Sequence, residues 1–154
     1  MVADGEAAPD FSLKDAEGNT VTLGDLKGHY AVVYFYPKDD TSGCTKEAVD
    51  FSGLKPEFDK LKARIFGISP DGIKAHAKFR DKYGLAVTLL ADEEKTAIQA
   101  YGVWAEKKMY GKTYMGVERS TFLIGPDGKI VKAWRGVKVP GHAEAVLDAL
   151  KKQK

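Results

Sequence analysis

The chain has 154 residues, 44% hydrophobic and 30% charged, with 24 Lys and Arg against 22 Asp and Glu for a net charge of +2. These proportions exclude a disordered or fibrous chain and supply a core for one domain, 1–154, without staples. So balanced a charge gives no reason to expect a nucleic-acid partner. Lys107, Lys108 and Lys112, and Lys151, Lys152 and Lys154, read as solvated surface and a frayed tail. The single cysteine, Cys44, excludes an internal disulfide and any multi-thiolate metal or cluster site. Met1 to Pro9 is acidic and poor in apolar residues, unlike a signal peptide. The longest apolar run, Tyr30 to Tyr36, is too short to cross a bilayer. The expectation is a cytoplasmic protein with a reduced thiol and no membrane partner.

In chain order, Phe11 to Leu13 and Thr20 to Leu23 flank a Gly/Asn turn and read as a hairpin. Tyr30 to Tyr36 is apolar, β-branched or aromatic almost throughout, the pattern of a strand buried on both faces. Pro37 ends it. From about Ser42 the period changes: Cys44, Phe51, Leu54, Phe58 and Leu61 fall on one helical face. Gly53 and Pro56 predict a kink or break near Lys55. Arg64 to Ser69 is the next strand, and Ser69-Pro70 predicts a helix start running to Tyr83 and stopping at Gly84. Val87 to Ala91 reads as a strand and Glu93 to Tyr101 as a short helix. The Lys-rich stretch with Trp104, Tyr110 and Tyr114 reads as an irregular loop. Ser120 to Ile124 and Lys129 to Trp134 are strands joined by a Gly-Pro-Asp-Gly turn. A last helix from about Pro140 carries Ala143, Val146, Leu147 and Leu150 on one face.

This order predicts an α/β fold: a central mixed sheet with helices on both faces and an N-terminal β-hairpin, a thioredoxin-like three-layer sandwich.

In open α/β sheets, ligands meet the carboxyl ends of strands, where loops lead into helices. Cys44 lies at such a place, after the strand ending at Tyr36 and at the start of the helix. Unpaired N–H groups and the positive end of the helix dipole favour an anion there, so the thiol should spend more time as nucleophilic thiolate. Gly43 allows close backbone approach, and Thr41 offers a hydroxyl that donates and accepts. By spacing alone, a buried packing role for Cys44 beside Phe51 and Phe58 fits equally well.

The segment Phe35-Tyr36-Pro37-Lys38-Asp39-Asp40-Thr41-Ser42-Gly43-Cys44-Thr45-Lys46-Glu47 resembles the peroxiredoxin motif Pro-x-x-x-Thr-x-x-Cys, most closely in the bacterioferritin comigratory protein, or peroxiredoxin Q, subfamily. Ala8-Pro9-Asp10-Phe11, Gly67-Ile68-Ser69-Pro70-Asp71, Leu89-Leu90-Ala91-Asp92 and Gly116 to Ile124 resemble further signatures in the same order. The resemblance implies a thiol peroxidase reducing hydrogen peroxide and organic hydroperoxides. By position, Cys44 is then the peroxidatic cysteine. Thr41 binds the peroxide oxygens, Pro37 shields the thiolate, and Arg119 holds the thiolate and polarises the peroxide. Glu47 supports that network. Gly43, Thr41, Cys44 and Arg119 make the substrate site.

One departure matters. The subfamily often places a resolving cysteine five residues after the first; here that position is Val49, so resolution falls to an external thiol. The candidates are thioredoxin, or glutathione with glutaredoxin. Ser42, where the subfamily often has proline, should matter little. A monomer is expected.

His29, His76 and His142 match no metal-ligand spacing and read as surface or packing residues. Asp39 and Asp40 are expected to face solvent or to pair with Lys38 or Lys46. No nucleotide or metal motif is present, so no cofactor and no metal are expected. Two other readings use the same residues: a peroxide sensor or thiol relay, and a catalytically silent thioredoxin-like binding module with Cys44 buried.

Overall fold

The computed structural model describes residues 2–153. A hairpin, β1 (Ser12–Asp15) and β2 (Thr20–Thr22), and a 3-10 turn at Gly24–Leu26 precede β3 (Tyr30–Phe35). Then follow α1 (Ser42–Lys60), β4 (Ala63–Ser69), α2 (Ile73–Tyr83), β5 (Thr88–Ala91) and α3 (Thr96–Ala100). A second hairpin, β6 (Trp104–Met109) and β7 (Lys112–Val117), leads into β8 (Ser120–Ile124), β9 (Ile130–Trp134) and α4 (His142–Lys151).

Seven strands form one sheet in the order β2-β1-β5-β4-β3-β8-β9. The β3–β4 and β4–β5 pairs are parallel; the β3–β8, β8–β9, β1–β2 and β1–β5 pairs are antiparallel. The sheet is therefore mixed, as the element order predicts. β3 lies inside it, and its side chains alternate between two cores. Ala31, Val33 and Phe35 pack with Phe66, Ile68, Phe122 and the α3 residues Ala97 and Ile98. Val32, Tyr34 and Tyr36 pack with α1, α2 and α4 through Phe51, Phe58, Phe79, Val146 and Leu150. Helices thus cover both faces. The α1 stripe read from the sequence points inward: Cys44, Phe51 and Phe58 are buried, and Leu54 and Leu61 pack at its edge.

Four local expectations are corrected. First, the break foreseen near Lys55 does not occur: α1 is continuous through Pro56. An interior proline costs about 3 kcal/mol. Burial of Phe51 and Phe58 on either side, each worth about 1.5–3 kcal/mol, offsets it and anchors both halves to the core. Second, Ser69 does not cap α2, which begins at Ile73 after Gly72. The Ser69 hydroxyl instead donates to Asp71 Oδ2 at 2.7 Å and accepts from the Asp71 N–H at 3.2 Å, a side-chain turn that competes with the helix. Third, the Lys-rich stretch is a hairpin, not an irregular loop. Tyr110 and Gly111 take φ values of 52° and 76°, the two left-handed positions that a tight two-residue strand turn requires. α3 is also shorter than predicted, because Asp92 accepts from the Thr96 and Ile98 N–H groups at 3.0 and 2.9 Å and fixes where the helix begins.

Candidate active site

The chain leaves β3 at the carboxyl end of the sheet and crosses to α1 in six residues, 36–41. That crossing is tied down from beneath. Asp39 is buried, against the expectation of a solvent-facing or Lys-paired carboxylate. Its side chain accepts from the Tyr36 hydroxyl at 2.6 Å and meets His76 Nδ1 at 2.7 Å, while its backbone N–H donates to Asp71 Oδ2 at 2.8 Å. The carboxylate thus finds its polar partners inward, at Tyr36 and at His76 on α2. His76 completes the network through Nε2, 2.9 Å from the Leu90 carbonyl. Asp40 sits in the left-handed region at φ 58° and pairs with Lys82 at 2.8 Å and with the Tyr83 hydroxyl, rather than with Lys38 or Lys46. The crossing is thus fastened to both ends of α2.

Thr41 is the N-cap residue of α1, in extended conformation. The first helical bond runs from the Thr45 N–H to the Thr41 carbonyl at 2.8 Å. The N–H groups of Ser42, Gly43 and Cys44 therefore lack helical acceptors and point out of the helix start. With the helix dipole they set a partial positive charge at the Cys44 sulfur. The Thr41 hydroxyl does not cap; it donates to the Lys38 carbonyl at 2.9 Å, leaving its oxygen free to accept. Pro37 is half-buried at the head of the loop.

Cys44 is free and 1% exposed. Arg119, in the two-residue link between β7 and β8, reaches it from the next sheet position. Its Nη2 lies 3.2 Å from Sγ, and its Nη1 donates to Glu47 Oε1 at 2.6 Å. The link is held by bonds from the Glu118 N–H to the Val103 carbonyl at 2.8 Å and from the Val137 N–H to the Arg119 carbonyl at 2.9 Å. Gly43 packs close to the guanidinium: a Cβ there would lie 3.2 Å from Arg119 Nη2 and force it to shift.

Burial dominates the titration of Glu47 and pushes its carboxyl up to about 7, against the pull of Arg119. Its Oε2 has no protein partner. Burial opposes the charge on Arg119, but the Glu47 and Cys44 charges outweigh it and raise the guanidinium. The structure so brings Cys44, Glu47 and Arg119 together, with Gly43 next to Cys44 in the chain and Pro37 and Thr41 in the crossing that leads to it.

Three further residues stand near the site without a sequence signal that assigns them to it. Tyr34 is fully buried on the Cys44 side of β3, and burial and then the charge of Glu47 raise its hydroxyl well above the usual range. Strand alternation alone puts Tyr34 on that face. His142, at the start of α4, bonds Thr121 Oγ1 at 2.8 Å; burial, and then Arg119, depress it to about 4. Lys107 arrives on β6, and no local signal could have found it.

Among the described residues, no group of three or more His, Cys, Asp and Glu is placed to hold a metal ion, and no helix is long and apolar enough to cross a membrane. The geometry suits thiolate chemistry. A guanidinium lies 3.2 Å from the sulfur, with spare N–H donors beside it for a small oxygen-rich molecule.

Comparison with known proteins leads to the same chemistry. The AhpC/TSA family matches residues 5–133. Peroxiredoxin Bcp of Bacillus subtilis is 50% identical over 147 residues, covering 96% of this chain and 94% of that protein. Peroxiredoxin Bcp of Xanthomonas campestris is 51% identical over 142 residues, covering 92% and 89%. Among solved structures, the Xanthomonas campestris bacterioferritin comigratory protein, studied for alkyl peroxide reduction in a trapped intermediate/ligand complex, superposes with a TM-score of 0.92 at 48% identity over 99% of both chains. The chain belongs to the AhpC/TSA family and is a peroxiredoxin.

Proposed function

We propose that the protein's thiol-dependent peroxidase activity runs through the Cys44 thiolate and acts on hydrogen peroxide and small organic hydroperoxides. The observation that carries this reading is the Arg119 guanidinium 3.2 Å from Cys44 Sγ at the open N-terminus of α1. The sulfur attacks the terminal peroxide oxygen. An S–O bond forms, the O–O bond breaks, and the leaving hydroxide or alkoxide takes up a proton to give water or alcohol. Cys44 is left as sulfenic acid.

Each neighbour contributes in a physically distinct way. The peroxide O–H donates to Thr41 Oγ1, which is free to accept while it donates to Lys38. The developing oxyanion receives the Gly43 and Cys44 N–H groups and the Arg119 guanidinium, donors fixed before the reaction begins. Glu47 holds the other arm of Arg119 and so aims it. Pro37 keeps bulk water off the sulfur. The alkyl peroxide reduction studied in the Xanthomonas campestris relative supports the substrate class.

Resolution requires a second molecule. Val49 stands five residues beyond Cys44, and the chain has no other cysteine. Thioredoxin, or glutathione with glutaredoxin, supplies the thiol: it attacks the sulfenic sulfur, releases water and leaves a mixed disulfide, which a second thiol reduces. The reading places a monomeric enzyme in the cytoplasm, where such thiols are kept reduced. Intact mass after excess peroxide tests it. Without thiol, Cys44 should gain two or three oxygens; with millimolar thiol it should stay reduced or carry the thiol adduct. Equal overoxidation in both would overturn external resolution.

A further inference from the structure

The β6–β7 hairpin stands apart from the main sheet as a two-stranded ribbon. Its register pairs Ala105 with Gly116, Lys107 with Tyr114 and Met109 with Lys112, so Lys107, Lys112 and Tyr114 share one face, with Tyr110 at the tip. Trp104, Glu106, Lys108, Thr113, Met115 and Val117 belong to the other face. Of the five exposed large hydrophobic side chains among the described residues, Tyr110 at 96%, Tyr114 at 43% and Met115 at 50% are on this ribbon. Among the described residues, the side chains of Lys107, Lys108 and Lys112 have no hydrogen-bond or ion-pair partner. The first face is therefore both basic and aromatic, the pairing that marks a binding surface more than a solvated one.

That ribbon runs into the active site: β7 ends at Val117, two residues before Arg119, whose Nη2 lies 3.2 Å from Cys44 Sγ. Gly116 leaves a space filled by the Lys107 stem and the Tyr114 ring, 3.3 and 3.4 Å from where a Cβ would stand. Burial and then the charge of Arg119 lower Lys107, while the charges of Cys44 and Glu118 oppose them.

We propose that the Lys107–Lys112–Tyr110–Tyr114 face of the ribbon docks an acidic thiol protein and presents that protein's cysteine to oxidised Cys44. The inference rests on the peroxidase reading above and names the resolving partner. Six-residue strands give the face a length of about 20 Å. A tripeptide thiol spans about 10 Å fully extended, so it covers only half of it. A protein surface with carboxylates around its cysteine complements the two lysines and buries both tyrosines. The reaction balances: the partner thiolate attacks the Cys44 sulfenic sulfur, an S–S bond forms as the S–O bond breaks, and the departing hydroxide takes up a proton and leaves as water. The partner's second thiol then breaks the mixed disulfide, forming its own and returning Cys44 as thiolate.

The test compares two double variants with the same change of charge. Lys112→Gln/Tyr114→Ser alters the proposed face; Lys108→Gln/Met115→Ser alters the opposite one. Turnover is measured with a thioredoxin of net negative charge, with glutathione and with dithiothreitol, at low and high salt. The first variant should raise the KM for thioredoxin about tenfold and flatten its salt dependence, while turnover with dithiothreitol and single-turnover oxidation by peroxide stay unchanged. The second should stay within about twofold of wild type. An equal rise in both variants, no rise in the first, or a wild-type enzyme served by glutathione but not by thioredoxin would overturn the proposal. Failure of single-turnover oxidation in the wild type would sink the peroxidase reading itself, an outcome distinct from loss at the ribbon.

Discussion

Cys44 and Glu47 stand one turn apart on α1 and share a single guanidinium: Arg119 Nη2 is 3.2 Å from the Cys44 sulfur and Nη1 is 2.6 Å from Glu47 Oε1. The i, i+3 spacing of the helix matches the fork of the arginine. Lysine, a single point charge, cannot serve both. Arg119→Lys and Arg119→Ala should each slow Cys44 oxidation by about 10²–10³, the cost of losing one fixed oxyanion donor. Pre-steady-state rates with hydrogen peroxide measure this. A loss under threefold in the lysine variant would show that charge alone suffices.

Gly43 tests the same geometry by steric means. A Cβ there meets Arg119 Nη2 at 3.2 Å, so Gly43→Ala should push the guanidinium by a few tenths of an ångström without disturbing the core. The expected result is a peroxide rate lower by about tenfold with an unchanged melting temperature, since misplacement at the reacting centre costs rate before stability.

The pH dependence follows from Glu47. Its carboxyl is raised to about 7 from 4.5, mainly by burial. In the folded state it gains charge as pH rises through 7, and its grip on Arg119 tightens. Activity should therefore rise across pH 6 to 8 with an inflection near 7, and Glu47→Gln should remove that inflection. The stability sign is opposite. A raised acid contributes stability fully below pH 4.5 and loses it as pH rises through about 7, so the protein gives up stability to ionise this group. Chemical denaturation across pH 4.5 to 7 measures it: wild type should lose stability relative to Glu47→Gln as pH rises.

His142 works in the other direction. Burial, then Arg119, lowers it to about 4 from 6.5. Its neutral form supports the fold fully above pH 6.5, and that contribution is lost as pH falls through about 4. His142→Gln should be less sensitive to acid over that window than wild type.

Two tyrosines in the core beneath α1, Tyr34 in β3 and Tyr36 just beyond it, differ sharply. The Tyr36 hydroxyl donates to Asp39 at 2.6 Å, whereas the Tyr34 hydroxyl has no protein partner. Tyr36→Phe should cost about 1.5–3 kcal/mol because it weakens the anchoring of a buried carboxylate. Tyr34→Phe should cost nothing measurable. Denaturant midpoints compare the two, and equal losses would mean that Tyr34 has an acceptor of its own.

Much of this architecture is readable from local pattern. The apolar run at Tyr30 to Tyr36 marks a central strand, and Ala143, Val146, Leu147 and Leu150 mark the buried face of α4. Cys44 and Thr41 stand within one motif, so proximity in sequence becomes proximity in space. Arg119 lies 75 residues from Cys44, and only the β3–β8 pairing brings it near. From residue type alone it is a surface arginine; the family resemblance identifies it. The β6–β7 ribbon escapes pattern reading because both faces meet water near its tip, so the alternation of polar and apolar residues fades. Its Tyr110-Gly111 turn also lacks the Asn-Gly or Asp-Gly signal. Asp39 reads as a solvent-facing carboxylate because its partner His76 lies 37 residues away on α2, and no local rule couples them.

The peroxidatic role of Cys44 is open to a single decisive comparison: stopped-flow reaction of the reduced protein with one equivalent of hydrogen peroxide, followed by intact mass and repeated with Cys44→Ser. The expected result is oxidation many orders of magnitude faster than a free thiol, with one oxygen added only when Cys44 is present. A rate no better than free cysteine, or an oxygen added equally to Cys44→Ser, would contradict that role.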